Sequence, residues 1–326
     1  MTTLAPGFHA DIPDSVYHKD PAPEPSLSSS MAKVIIDQSP LHAWHQHPRL
    51  NLPPEDAETE EAKPTRPKEI GSAAHRLILG RGKLVRVIEG SDYKGKAAQA
   101  ARAAAYAAGA SPILRSDYET AEAMAKAVQK QAATVEGCEA FREGADHPSE
   151  LVAIAQDPSG IYLRALIDRF EEHAAGATIW DVKTGEVSAA PSGLGRRMFG
   201  MQMEVQAALY ERAVTLLRPD LAGRVRFRWL FVENEPPHLI MPAELDAVGM
   251  EIGRRKVQAA IEMFRRGVHL NEWPGYPTAV ITAEYPAFAA NAWEARETND
   301  PMLAGISYGS TAPIVRPVEM MTEIAP

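Results

Sequence analysis

Two acids and one amine stand where a soluble chain does not usually put them. Asp168 closes the run Ile161–Ile167, apolar at almost every position, and Asp181 and Lys183 close a second apolar run that starts at Ile179. Runs apolar on both faces read as strands buried inside a sheet, and a carboxylate there is costly unless a cation compensates it. Strand residues alternate faces, so Asp181 and Lys183 point one way while Trp180 and Val182 point into the core. Two carboxylates and an ammonium converging on one side of a sheet make a site for a hard divalent cation.

The elements around these residues follow from local pattern. Residues 1–25 are rich in proline and read as an extended segment. Ser28–Ser30 offers N-caps for a short helix, and Ser39-Pro40 starts another with proline in its first turn. Residues 51–68, with prolines and a cluster of acids, read as a mobile loop. A helix follows over 71–79, then two Ala-rich helices at 94–108 and 116–134. Beyond these the chain changes character. A strand from Glu150 to Gln156, a turn at Asp157–Gly160 and a strand over 161–170 predict a hairpin. A third strand is expected at 178–183, a helix at 199–217 with Met201, Val205, Ala208, Leu209 and Leu216 on one stripe, strands at 224–233 and 238–242, and a helix at 245–266. This order predicts an α/β fold, helices flanking one central mixed sheet, with helical additions at the N-terminal side.

Composition narrows the function classes. The chain has 326 residues, 45% hydrophobic and 24% charged, with a net charge of −9. No window approaches 18 consecutive apolar residues, so no transmembrane helix is expected, and the start lacks the pattern of a secretory signal. The single cysteine, Cys138, excludes an internal disulfide and a cysteine-rich zinc or iron–sulfur site, and suits a reducing cytoplasm. Nothing nearby is built to activate it as a nucleophile. The negative charge argues against a nucleic-acid binder that works by overall charge. Yet Arg196-Arg197, the alternating Arg224, Arg226 and Arg228, Arg254-Arg255-Lys256 and Arg265-Arg266 all lie in the half that carries the two aspartates. Each run alone reads as a solvated face; together they read as a phosphate track.

With these residues in view, the chain resembles a known family. Asp168, then Asp181-x-Lys183, then Gln206-x-x-x-Tyr210 on the next helix is similar to the RecB-like branch of the PD-(D/E)XK nucleases. Tyr17-His-Lys-Asp, Ser28–Ser30, Ser39-Pro40, the Gly71–His75 helix and Trp273-Pro274-Gly275-Tyr276 resemble the RecE-type exodeoxyribonuclease VIII domain of phages and prophages. The likeness spans about 15–290 and implies one nuclease domain over 26–290. Residues 291–326 resemble nothing known to us and read as a tail or an oligomer arm. One departure stands out: the arginine that the family often carries two residues before its first aspartate is replaced by Leu166, so Arg164, on the same strand face as Asp168, is expected to take over part of that role.

The resemblance implies roles position by position. His75, Asp168, Asp181 and the carbonyl of Val182 would hold Mg²⁺, with Mn²⁺ able to substitute. Lys183 would hold or deprotonate the attacking water, its pKa drawn down by the metal's charge. Gln206 and Tyr210, with Gln202 a turn earlier, would position the DNA end, the lysine or metal waters. Glu150 would support the site, and Arg196 and Arg197 would meet DNA. The implied activity is exonucleolytic hydrolysis of linear double-stranded DNA, 5′→3′, leaving 3′ single strands for an annealing protein or recombinase. Processive relatives form rings, so a homo-oligomer is implied. Another RecB-like nuclease of different polarity or substrate, or a DNA-binding protein that keeps only the fold, stays open from the residues alone.

Overall fold

The computed structural model describes residues 3–51, 65–185 and 189–307. Its elements in chain order are β1 (Gly7–His9), α1 (Asp14–Tyr17), β2 (Ser26–Ser28), α2 (Ser29–Asp37), α3 (Pro40–Gln46), α4 (Arg66–Leu79), β3 (Val85–Ile88), α5 (Lys96–Ala107), β4 (Ser111–Leu114) and α6 (Arg115–Ala132). There follow β5 (Ser149–Gln156), β6 (Tyr162–His173), β7 (Gly176–Gly185), α7 (Pro191–Gly200), α8 (Met203–Leu217), β8 (Val225–Glu233), β9 (Ile240–Ala243), α9 (Ala247–Leu270) and α10 (Ala287–Asn299).

Local chemistry explains the boundaries. Ser28 Oγ accepts the Met31 amide at 3.3 Å and caps α2; Ser39 Oγ does the same for His42 at 3.3 Å, with Pro40 opening α3. Asp246 caps α9 through the Gly249 amide at 2.7 Å, and that helix stops at Asn271 in the left-handed region. The Asp157–Gly160 turn closes the β5–β6 hairpin as expected, its Gly160 amide donating to the Asp157 carbonyl at 2.8 Å.

The main sheet runs β1-β5-β6-β7-β8-β9, with β2 also paired to β6. Strands β5, β6 and β7 form an antiparallel meander; β8 returns parallel to β7 after the helical crossover, and β9 closes antiparallel on β8. A separate two-stranded parallel ribbon joins β3 and β4. Apolar residues pack on both faces. Ala177 and Ile179 of β7 join the cluster under α2, α8 and α9, while Trp180 and Val182 join the one under α4 and α6. This is the alternation expected for the strand that carries Asp181. Gly253 lets α9 lie against α8: a Cβ there would fall inside contact distance of the Glu204 carbonyl.

Several sequence expectations need correction. The helix expected over 199–217 is two helices, broken at Met201–Gln202, where Gln202 takes φ 49; Met201 is exposed instead of lying on the core stripe. Residues 1–25 are not uniformly extended, since β1 and α1 lie within them and Tyr17 is buried. Of the loop expected at 51–68, residues 52–64 lie outside the described residues, and 66–68 form the first turn of α4, where Pro67 costs no helical hydrogen bond. Asp168 sits in the middle of β6, not at its end.

The chain divides into two units, Met1–Tyr276 and Pro277–Pro326. In the second, α10 runs across position 290, where the tail was expected to begin, and residues 308–326 lie outside the described residues. No helix among the described residues is long and apolar enough to cross a membrane.

Candidate active site

One edge of β6 is shared by two different strands. The parallel strand β2 pairs with it over Tyr162–Arg164, and the antiparallel strand β7 pairs with it from Arg169 onward. The stretch 165–168 between them has no strand partner on that edge. Asp168 falls in this gap, and Asp181 is the next β7 residue after the ladder stops at Trp180. The two acids are brought together where their strands diverge.

Helices from both faces of the sheet complete the group. From α4, His75 Nε2 lies 2.9 Å from Asp168 Oδ2, and its Nδ1 lies 3.3 Å from Glu150 Oε1 of β5. The register of α4 is set by Arg169, the residue after Asp168. Buried, it donates to the last carbonyls of that helix, Ile78 at 3.3 Å and Leu79 at 3.2 Å, and to the Ala140 carbonyl and Ser149 Oγ. Gly71, a turn before His75, gives the close approach to β7: a Cβ there would lie 2.8 Å from Thr184 Oγ1. From α8, buried on all sides over its first half, Gln206 Nε2 donates to Asp181 Oδ1 at 2.6 Å. The Val182 amide donates to Asp168 Oδ2 at 2.6 Å, and Lys183 Nζ lies 2.6 Å from Asp181 Oδ2.

The gap also frees a backbone donor. Tyr210 Oη, one turn after Gln206, accepts the Leu166 amide at 3.4 Å, and it shares a hydrogen bond with the buried hydroxyl of Tyr17 from α1. Burial, followed by the charges of Tyr17, Asp181 and Asp168, holds the Tyr210 phenol well above its ordinary pKa.

The electrostatics of the group are those of a cation site. Burial works against the charge on His75, yet Asp168 and Glu150 outweigh it and push the imidazole up to about 9. Burial pushes Glu150 up to about 7, against the pull of His75. Asp168 is held below the usual carboxylate range, since His75, Lys183 and the Val182 amide overcome its burial. Asp181 is raised by burial and by the charge of Asp168, with Lys183 opposing. Burial would lower Lys183, but Asp181 and Asp168 hold it above its ordinary value; the fall expected in its pKa requires a cation beside it.

The residues present fit a divalent metal. Ligand atoms of His75, Glu150 and Asp168 lie within 4.8 Å of one another, a spread that shifts of a few tenths of an ångström would close around one ion bonded at about 2.1 Å to each. The donor set, two carboxylates and an imidazole, suits Mg²⁺ or Mn²⁺. Asp181 adds a further donor, because among the described residues its buried Oδ2 meets only the Lys183 ammonium, at 2.6 Å.

Not every expected residue joins this group. Glu150 does more than support it, standing beside His75 as part of the ligand cluster. Arg164 is turned away: its Nη1 lies 3.0 Å from Asp20 Oδ1 and donates to Ser26 O and Oγ, so it anchors β2 and not Asp168. Gln202 precedes the first turn of α8 without capping it and donates to Asp37 Oδ1 at 3.0 Å. Arg197 stacks over the Phe231 ring at 4.8 Å and acts electrostatically on Lys183, while Arg196 is exposed on α7. The other basic runs are not a free phosphate track. Arg228 and Arg226 face Glu244, Arg254 pairs with Glu211, Arg255 with Glu251, Lys256 with Glu204, and both Arg265 and Arg266 with Glu262. Sequence reasoning missed Arg169 and the rank of Glu150. An arginine inside an apolar strand, directly after the candidate acid, was the available signal for the first.

No curated protein matches the chain. A solved structure of a candidate exonuclease from Eubacterium rectale is similar at 11% identity and a TM-score of 0.48, over 87% of this chain and 99% of that one. A model of the PD-(D/E)XK nuclease superfamily matches residues 37–278, from α2 to just beyond α9 and so across every residue of the acid–lysine group. The chain, with its mixed sheet between helical layers, belongs to the PD-(D/E)XK nuclease superfamily.

Proposed function

We propose that this protein is a Mg²⁺-dependent exodeoxyribonuclease that degrades linear double-stranded DNA in the 5′→3′ direction. It leaves 3′ single strands for an annealing protein or recombinase, acts in the cytoplasm, and assembles as a homo-oligomeric ring, as the RecE-type resemblance implies. One observation carries the reading: His75, Glu150 and Asp168 gather within ligand distance of one ion, with Asp181 and Lys183 beside them.

The roles follow from position. His75, Glu150, Asp168 and Asp181 would hold the metal, which when bound polarises the phosphodiester and lowers the pKa of water. Lys183 stands on the side of Asp181 away from Gln206. There its ammonium holds the attacking water and offsets charge on the phosphate as the bond to the leaving oxygen breaks. Gln206 keeps Asp181 aimed at the ion by occupying its other oxygen. Tyr210 and Tyr17 close the gap in β6 and keep Asp168 in place.

The deciding experiment is digestion of linear duplex labelled at either the 5′ or the 3′ end, with Mg²⁺ or with EDTA, for the natural chain and Lys183→Ala. Label from the 5′ end should be released first, only with metal, and not by the variant. Early loss of the 3′ label overturns the polarity and the RecE-type assignment. Duplex that survives with metal, while both proteins bind it equally, overturns the enzyme.

A further inference from the structure

Lys33 is a cation that the site described above does not use. It lies on α2, partly buried, and its Nζ donates to the Met201 carbonyl at 2.9 Å. Among the described residues, no carboxylate lies within 4.0 Å of it. The acids that face it are already matched, Asp181 by Lys183 at 2.6 Å and Glu204 by Lys256 at 2.5 Å. The neighbour that acts on it most strongly is another cation: burial, then the charge of Lys183, lowers the Lys33 pKa. Two ammonium groups close enough to feel each other's charge repel. The repulsion becomes attraction when an anion lies between them.

The position is also held firmly. Lys33 and Asp37 lie one turn apart on α2 and grip the two residues of the helix break, Lys33 through the Met201 carbonyl and Asp37 through the Gln202 amide at 3.0 Å. That break leads directly into α8, whose Gln206 holds Asp181. The ammonium of Lys33 is therefore fixed relative to the acid–lysine group, and among the described residues only one of its three donors is engaged.

We propose that Lys33 contacts a phosphate of the DNA strand in the active site, on the side where Lys183 stands. The inference rests on the nuclease reading and adds to it a substrate contact from a helix that carries none of the metal ligands.

The test measures binding of a fluorescent linear duplex in EDTA, where no hydrolysis occurs, across a series of KCl concentrations. Steady-state digestion with Mg²⁺ is followed in parallel. Removing one phosphate contact reduces the slope of log K against log salt by about 0.9. Lys33→Gln should show that fall, weaken binding about tenfold at low salt, and raise KM with little change in kcat; Lys33→Arg should restore slope and KM. Thermal melts accompany each variant, and Lys33→Met, which keeps the stem without the charge, replaces the glutamine if that variant does not fold. If the natural chain digests DNA normally, an unchanged slope and KM in Lys33→Gln overturns the role of Lys33 alone, as does a loss confined to kcat. A natural chain that neither binds nor digests duplex overturns the nuclease reading, and this contact with it.

Discussion

Glu150 reaches within 3.3 Å of His75 from a backbone bent into the left-handed region, at φ 53. The β5–β6 ladder runs past it on both sides, pairing Ser149 with Arg169 and Leu151 with Ile167, so the bend belongs to this one residue, opposite Asp168. A side chain held there costs about 1–3 kcal/mol, and the carboxylate delivered to the imidazole is what the bend achieves. Glu150→Gly should therefore gain about 1 kcal/mol of stability in urea melts with EDTA while losing at least tenfold in Mn²⁺ affinity by calorimetry. A variant less stable than the natural chain would show that the bend carries no strain.

Metal affinity should rise with pH. With His75 held up to about 9 by Asp168 and Glu150, the group must give up a proton before its nitrogen can bind an ion. Between pH 7 and 9 one proton leaves on binding, and the apparent affinity climbs about tenfold per pH unit. Below pH 7, Glu150, pushed up to about 7, adds a second proton and the slope approaches two. Calorimetry with Mn²⁺ in buffers of different ionisation enthalpy counts the protons; His75→Ala should remove the upper step.

Lys183→Ala should lower kcat by about 10²–10⁴ and leave most Mn²⁺ binding intact, since of the four groups that would hold the metal the amine meets only Asp181, and not His75, Glu150 or Asp168. Single-turnover digestion beside a metal titration separates the two. Loss of metal binding in this variant would place the lysine in the architecture of the site.

Tyr210→Phe removes the acceptor of the Leu166 amide and the partner of the Tyr17 hydroxyl. Leaving these donors buried costs about 1–3 kcal/mol. The same variant should lower kcat more than it raises KM, because Leu166 lies two residues before Asp168. Tyr17→Phe, which leaves the Tyr210 oxygen in place for the amide, should show the smaller loss in denaturant melts and in rate.

Cys138 is fully buried, and burial pushes its thiol up to about 11. Iodoacetamide at pH 8 should leave the native chain unlabelled and modify it only as urea unfolds it, as mass spectrometry would report.

The acids and the lysine were legible in the sequence because strand alternation places them without long-range information, while the Gln206–Tyr210 pair was picked out by the family resemblance. Local pattern also places the serine caps at 28 and 39. Other features depend on contacts that no local pattern encodes. Glu150 looks like the ordinary start of a strand until its backbone bend is seen. Arg164 shares a strand with Asp168, yet Asp20, far away in sequence, claims it. The break at Met201–Gln202 interrupts a continuous helical pattern because α2 supplies partners for both residues. The basic runs suggested a track for phosphate, and most proved to be ion pairs with acids from other turns or strands.

The seam in β6 has a consequence for how the protein is made. Its upper lip is β2, three residues that dock against residues 162–164 of β6, so this segment finds its place only once a strand more than a hundred residues later has formed. Until that docking, neither Tyr17 nor Lys33 is delivered to the acids.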